Sequence, residues 1–265
     1  MTENSKHIFE KVSNPYGTIK HTIAIMSGKG GVGKSSITAL LAAGLNRKGY
    51  KVGILDADIT GPSIPKVFGI KGRAEVIGDI ILPRDSVTGV KIISINLLLE
   101  KEDEPVIWRG PLLAGTVKQF YEQVDWGDLD FLIVDLPPGT GDVPLTVMQS
   151  LPLDGLIVVT SPQELVALIV KKAINMAEKM SMPILGLLEN MSYFECPECR
   201  KKSELFGKSR IEEVSKESGI EILGRLPIIP EVAELSDEGK IETVDLICGG
   251  FFESVVNNLL LKLNL

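Results

Sequence analysis

A chain of 265 residues with 44% hydrophobic and 5% aromatic content has enough apolar material for one large buried core, and a single domain is expected. Its formal net charge of −7 argues against nucleic acid as the main partner, because a phosphate backbone would be repelled by most of the surface. No apolar run approaches the ~18 residues of a membrane span, and Met1 to Lys20 carries charges without an apolar signal core, so the expectation is no membrane, no export and a cytoplasmic location.

Residues 1–20, including Asn14-Pro15-Tyr16-Gly17, show no sustained period and read as a flexible arm ahead of a domain over 21–265. Ile23-Ala24-Ile25-Met26 reads as a buried strand running into Gly28-Lys29-Gly30-Gly31-Val32-Gly33-Lys34-Ser35, after which a helix is expected over Lys34 to Lys48. Val52 to Leu55 forms the next apolar run. Ile80 to Pro83 and Val90 to Ile95 flank Arg84 to Gly89 as an expected hairpin. Further strand-like runs lie at Phe131 to Val134, Leu156 to Val159, Ile184 to Leu188 and Ile222 to Leu226, with a helix expected over Gln163 to Lys179 and an inserted C-x-x-C loop near 190–207. Runs that are apolar throughout, rather than alternating, belong to strands buried on both faces, so the fold class is α/β: a mostly parallel sheet flanked by helices on both faces, the P-loop NTPase fold. Phe251 to Leu265 is amphipathic, and with Lys262 its one basic residue it reads as a helix closing the core rather than one lying on a membrane.

The glycine loop satisfies G-x-x-x-x-G-K-[ST] in the strand-loop-helix context that the motif requires. Its glycines let backbone N–H groups of Gly30, Gly31, Val32 and Gly33 close around phosphate oxygens, and the helix start at Ser35 and Ser36 adds its positive dipole end. Lys34 neutralises the outer phosphates, and the Ser35 hydroxyl can join a magnesium shell. Asp56-Ala57-Asp58 and Asp135 each end an apolar run, and in open α/β sheets ligands bind beyond the carboxyl ends of the strands. Asp135 is the candidate magnesium residue. Asp58 is either the group that orients the attacking water or a turn-forming aspartate.

Taken together, these motifs resemble the deviant Walker A proteins of the MinD/ArsA group of P-loop ATPases. Asp56-Ala57-Asp58 with Gly61-Pro62-Ser63, Arg109-Gly110-Pro111, Val134 to Asp142, Ser161-Pro162-Gln163-Glu164 and Glu189-Asn190-Met191-Ser192-Tyr193-Phe194 are similar to the Mrp/ApbC branch. The resemblance implies an ATP-hydrolysing homodimer that carries an iron-sulfur cluster and hands it to apo-proteins. It also implies that Lys29 is the signature lysine reaching the partner's nucleotide, that Asp58 is the water-orienting residue, and that Asn190 reads the adenine, with Pro227 also among the nucleotide-binding residues. The guanine-reading N-K-x-D pattern is absent, which favours ATP.

Cys196-Pro197-Glu198-Cys199 supplies two thiolates at metal-ligand spacing, whereas a tetrahedral or cubane site wants four. His7 and His21 are the only imidazoles, and Cys248 reads as a buried structural cysteine. Two copies of the motif across a two-fold axis give a set suited to a bridging [4Fe-4S] cluster, with zinc as the alternative and a redox dithiol disfavoured by the charged loop around it. Similar eukaryotic scaffolds can carry further cysteines near the N-terminus; residues 1–20 have none, so a second cluster is not expected. Two other readings remain open: a MinD/ParA-like nucleotide switch that positions cargo, and a zinc-stabilised ATPase acting as a binding module.

Overall fold

The structure is a computed structural model and describes residues 11–58, 61, 63–99 and 110–265. Its strands are β1 (Ile19–Ser27), β2 (Val52–Asp56), β3 (Glu75–Ile77), β4 (Ile80–Leu82), β5 (Arg84–Asp85), β6 (Lys91–Ile93), β7 (Leu129–Asp135), β8 (Gly155–Thr160), β9 (Ile184–Glu195), β10 (Lys202–Ser203) and β11 (Ile222–Pro227). Its α-helices are α1 (Lys34–Arg47), α2 (Ile64–Val67), α3 (Gly110–Gln123), α4 (Asp142–Ser150), α5 (Glu164–Lys179), α6 (Ile211–Ser218), α7 (Pro230–Asp237), α8 (Val244–Ile247) and α9 (Glu253–Lys262).

Nine strands form one sheet in the order β10-β9-β8-β1-β7-β2-β6-β5, with β11 also on β9. All its pairings are parallel except the two outermost, β10 with β9 and β5 with β6. From β1 the chain first builds β2, β6 and β7 on one side, then β8 and β9 on the other. The reversal at β1 opens a crevice at its carboxyl end, where the glycine loop begins. β2 and β8 are buried along their whole length, as their uninterrupted apolar runs require.

α9 closes the core as expected. Gly44 of α1 and Gly224 of β11 let it approach, since a β-carbon there would lie 2.7 Å from Val256 and 2.6 Å from Val255 respectively.

Three expectations are corrected. From residue 11 onward the arm is anchored: the Val12 N–H donates to Ser150 O at 2.9 Å, and Asn14 Nδ2 donates to the Tyr121 and Val124 carbonyls at 2.7 and 2.8 Å. Residues 1–10, including His7, lie outside the described residues. The hairpin is displaced. Ile80–Leu82 pairs back onto Glu75–Ile77 across Gly78-Asp79, with Gly78 at φ 62°, while Arg84–Asp85 pairs with Lys91–Ile92. Finally, the first part of the expected C-x-x-C loop is strand, because β9 extends over 12 residues to Glu195.

Candidate functional site: a phosphate cradle and a cysteine hairpin

Gly31 and Gly33 sit at φ 81° and 82°, the left-handed region that glycine adopts without steric cost, and this curls the loop back over the start of α1. Lys34 is only 6% exposed and Asp135 is fully buried. Lys34 Nζ lies 2.8 Å from Asp135 Oδ2 and 3.5 Å from Asp58 Oδ2. The Ser35 hydroxyl donates to Asp135 Oδ2 at 2.6 Å, and Thr38, one turn along α1, donates to Asp135 Oδ1 at 2.7 Å. A cavity of about 200 Å³ opens between Lys29, Gly30, Ser36, Asp58 and Pro138.

Asp56 is paired in register with Asp135 on the adjacent strand, so two carboxyl groups are buried side by side. Burial, followed by the charge of Asp135, raises the Asp56 pKa well above the usual carboxylate range. Its Oδ1 accepts from the Asp58 N–H at 3.2 Å, whereas its Oδ2 is buried without a hydrogen-bond partner among the described residues. Hard oxygen donors from Ser35 and Asp135, together with this unsatisfied carboxyl oxygen, suit the ligand preferences of magnesium.

Asn190 and Pro227 lie on the neighbouring strands β9 and β11, where Pro227 pairs with Tyr193. The Asn190 amide is seated on the glycine loop: its Nδ2 donates to Val32 O at 3.0 Å and would lie 2.3 Å from a β-carbon on Gly33. Lys29 reaches across to Gln163, to whose side-chain oxygen it donates. Arg109 and Pro62 lie outside the described residues.

The cysteine motif occupies the turn between β9 and β10. The Cys196 N–H donates to Lys201 O at 3.1 Å and the Arg200 N–H to Cys196 O at 2.9 Å, with Arg200 at φ 60°. This closed turn directs the backbone N–H groups of Cys199 and Glu198 at the Cys196 sulfur and lowers its pKa, which favours the thiolate that binds metal. Cys199 is exposed. His21 lies elsewhere, stacked on Phe131, and Cys248 is half-buried at the end of α8, where burial raises its pKa. Among the described residues no group of three or more His, Cys, Asp or Glu side chains is placed to hold a metal, so there the two thiols of the turn stand without further ligands.

The glycine cradle, its buried lysine and the carboxylates at adjacent strand ends define a P-loop nucleotide-binding protein. A family model described as ParA, NUBPL iron-transfer P-loop NTPase, matches residues 18–259, and the chain belongs to that family. It is 47% identical over 246 residues to an iron-sulfur cluster carrier protein of Clostridium perfringens, covering 90% of this chain and 86% of that one. To a protein of the same description from Methanocaldococcus jannaschii it is 48% identical over 255 residues, covering 95% and 88%. Among solved structures, a nucleotide-binding protein of Archaeoglobus fulgidus in complex with ADP superposes with a TM-score of 0.76 at 47% identity, covering 84% of this chain and 88% of that one. The MinC:MinD complex of Aquifex aeolicus, at 19% identity and a TM-score of 0.68 over 92% of this chain and 96% of its counterpart, shares the fold.

Sequence reasoning sets Asp56 and Glu189 within its motifs without giving either a role of its own, and it misses Thr38. Thr38 carries a usable signal, since i+4 from Lys34 places it on the same helix face. Asp56 is visible as a strand-end acid. Glu189, 1% exposed, accepts hydrogen bonds from Ser192 and Ser209 and lies 3.5 Å from Arg225 Nε, a set of contacts that no local pattern announces.

Proposed function

We propose that this protein is an ATP-hydrolysing iron-sulfur cluster carrier that works as a homodimer and passes its cluster to apo-proteins. The observation that carries this reading is the Cys196-Cys199 turn, held out on the same strand that walls the phosphate cradle. Two thiols at an exposed turn are half of a four-thiolate site, and a second copy completes it.

In this reading the N–H groups of Gly30 to Ser36 and the start of α1 take the phosphates, with Lys34 on the outer ones. Asn190 and Pro227 face the adenine. Ser35 and Asp135 would hold magnesium, which when bound neutralises charge developing on the phosphates. Asp58 orients a water for in-line attack: the water oxygen bonds the γ-phosphorus, the bond to the bridging oxygen breaks, the proton passes to Asp58, and ADP and phosphate leave. Lys29 would leave Gln163 to reach the partner's nucleotide. The cargo, a [4Fe-4S] cluster, moves to a recipient as the recipient's thiolates replace those of Cys196 and Cys199 one at a time.

Anaerobic reconstitution with iron and sulfide tests this proposal. A bridged cluster gives about four irons per dimer with a broad visible absorption band, lost in Cys196→Ala and Cys199→Ala and kept in Cys248→Ala. Iron retained by the Cys196→Ala/Cys199→Ala double variant, or zinc as the sole metal taken up, would overturn it.

A further inference from the structure

β9 is shared by both sites, and it is irregular at the point where they meet. Glu189 still pairs with Thr160 of β8 and with Arg225 of β11, but the next pair to β11 is Tyr193 with Pro227. Residues 190–192 therefore bulge against Leu226 alone, and within them Met191 adopts φ 55°, a left-handed conformation uncommon for a residue with a side chain. Asn190, which opens the bulge, has its amide on the glycine loop.

Glu189 grips the hairpin at both legs. Its carboxylate accepts from Ser192 on the outgoing strand and from Ser209 at 2.7 Å on the returning chain, and lies 3.5 Å from Arg225 Nε. Below the bulge the strand is clamped by neighbours on both sides. Beyond it, among the described residues, Pro227, the Ile228 N–H on Tyr193 O at 2.7 Å and the short β10 hold the hairpin. Cys196 lies within about 20 Å of extended chain from Asn190.

We propose that the Asn190-Met191-Ser192 bulge, clamped by Glu189, is the pivot through which nucleotide in the cradle sets the orientation of the Cys196-Cys199 turn. It rests on the reading that the cradle takes nucleotide and the turn takes cargo. A base that engages Asn190 competes with Val32 O for its amide, and a change at Met191 re-aims every residue beyond it, because side chains alternate faces along a strand. Bulges beside functional sites act in this way, bending the strand and redirecting its far end.

The test uses metal-free, reduced full-length protein and iodoacetamide, with each cysteine tracked by mass spectrometry. A non-hydrolysable ATP analogue with magnesium should change the alkylation rates of Cys196 and Cys199 by about threefold or more, since thiol reactivity depends on access and thiolate character, and leave Cys248 unchanged. Met191→Gly, which frees the backbone at the pivot, should bring the rate ratio near one while analogue affinity stays within about threefold. Ser192→Ala, which releases the bulge from Glu189, should lower the ratio too, and it decides the matter if Met191→Gly melts early. Wild-type rates indifferent to the analogue despite measured binding, or a wild-type ratio in the folded variants, would overturn the pivot. Because the assay contains no iron, a failed reconstitution leaves it standing, and analogue binding measured in the same samples isolates failure of the cradle.

Discussion

The cradle and the cysteine hairpin are linked by one strand, β9, and are built in opposite ways. Lys34 and Asp135 sit at the centre of the sheet, where the ends of β1, β2 and β7 meet, and every charge there faces another. The hairpin projects from the edge on two cross-strand pairs, its Arg200 and Lys202 side chains paired with Glu195 across exposed surface and Lys202 also over the Tyr193 ring. Exposed ion pairs of that kind add little stability. Phosphoryl transfer needs groups fixed before the substrate arrives, and cargo that must leave again needs thiols that a recipient can reach. On the proposed function, these two demands correspond to the two degrees of burial.

That contrast breaks most visibly at Lys34. Lys34→Ala leaves Asp58 and Asp135 without their shared cation, so unfolding in denaturant should show a loss of about 3–5 kcal/mol, and ATP turnover should disappear. Wild-type stability would mean that the lysine is not the counterion the distances make it. The acids sharpen the picture at smaller cost: Asp135→Asn should weaken magnesium-dependent nucleotide binding, and Asp58→Asn should chiefly slow hydrolysis, as separate titration and turnover measurements would resolve.

The hairpin should respond least. Cys196→Ala in metal-free protein should shift stability by no more than about 0.5 kcal/mol. With its pKa lowered by backbone N–H groups, Cys196 should be alkylated ahead of Cys248 near neutral pH, and the gap should close as pH rises above both pKa values. Equal rates at neutral pH would mean that the turn does not bias its thiol.

The same contrast governs what could be read in advance. Gly28 to Ser35, the buried strands and Asp135 were legible because their signals are local: a glycine spacing, an apolar run, an acid at its end. Asn14 looked like part of a free arm because the carbonyls it binds lie more than a hundred positions away, on Tyr121 and Val124. The hairpin was displaced because Gly78-Asp79, a two-residue turn, captured Ile80–Leu82 before Arg84 to Gly89 could. β9 looked finished at Leu188, since the polar residues after it lack a strand's pattern, yet Glu189 holds them through Ser192 and Ser209.

Lys34 already answers to Asp58 and Asp135, with the Asp56 carboxyl one strand away, so the charge of this lysine is largely offset before an anion arrives. A triphosphate arriving without a divalent cation would find its natural counterion engaged and acidic groups on the same wall. On the proposed function the cradle would therefore favour the metal complex of the nucleotide, and free magnesium, as much as the nucleotide itself, would govern how often it is filled.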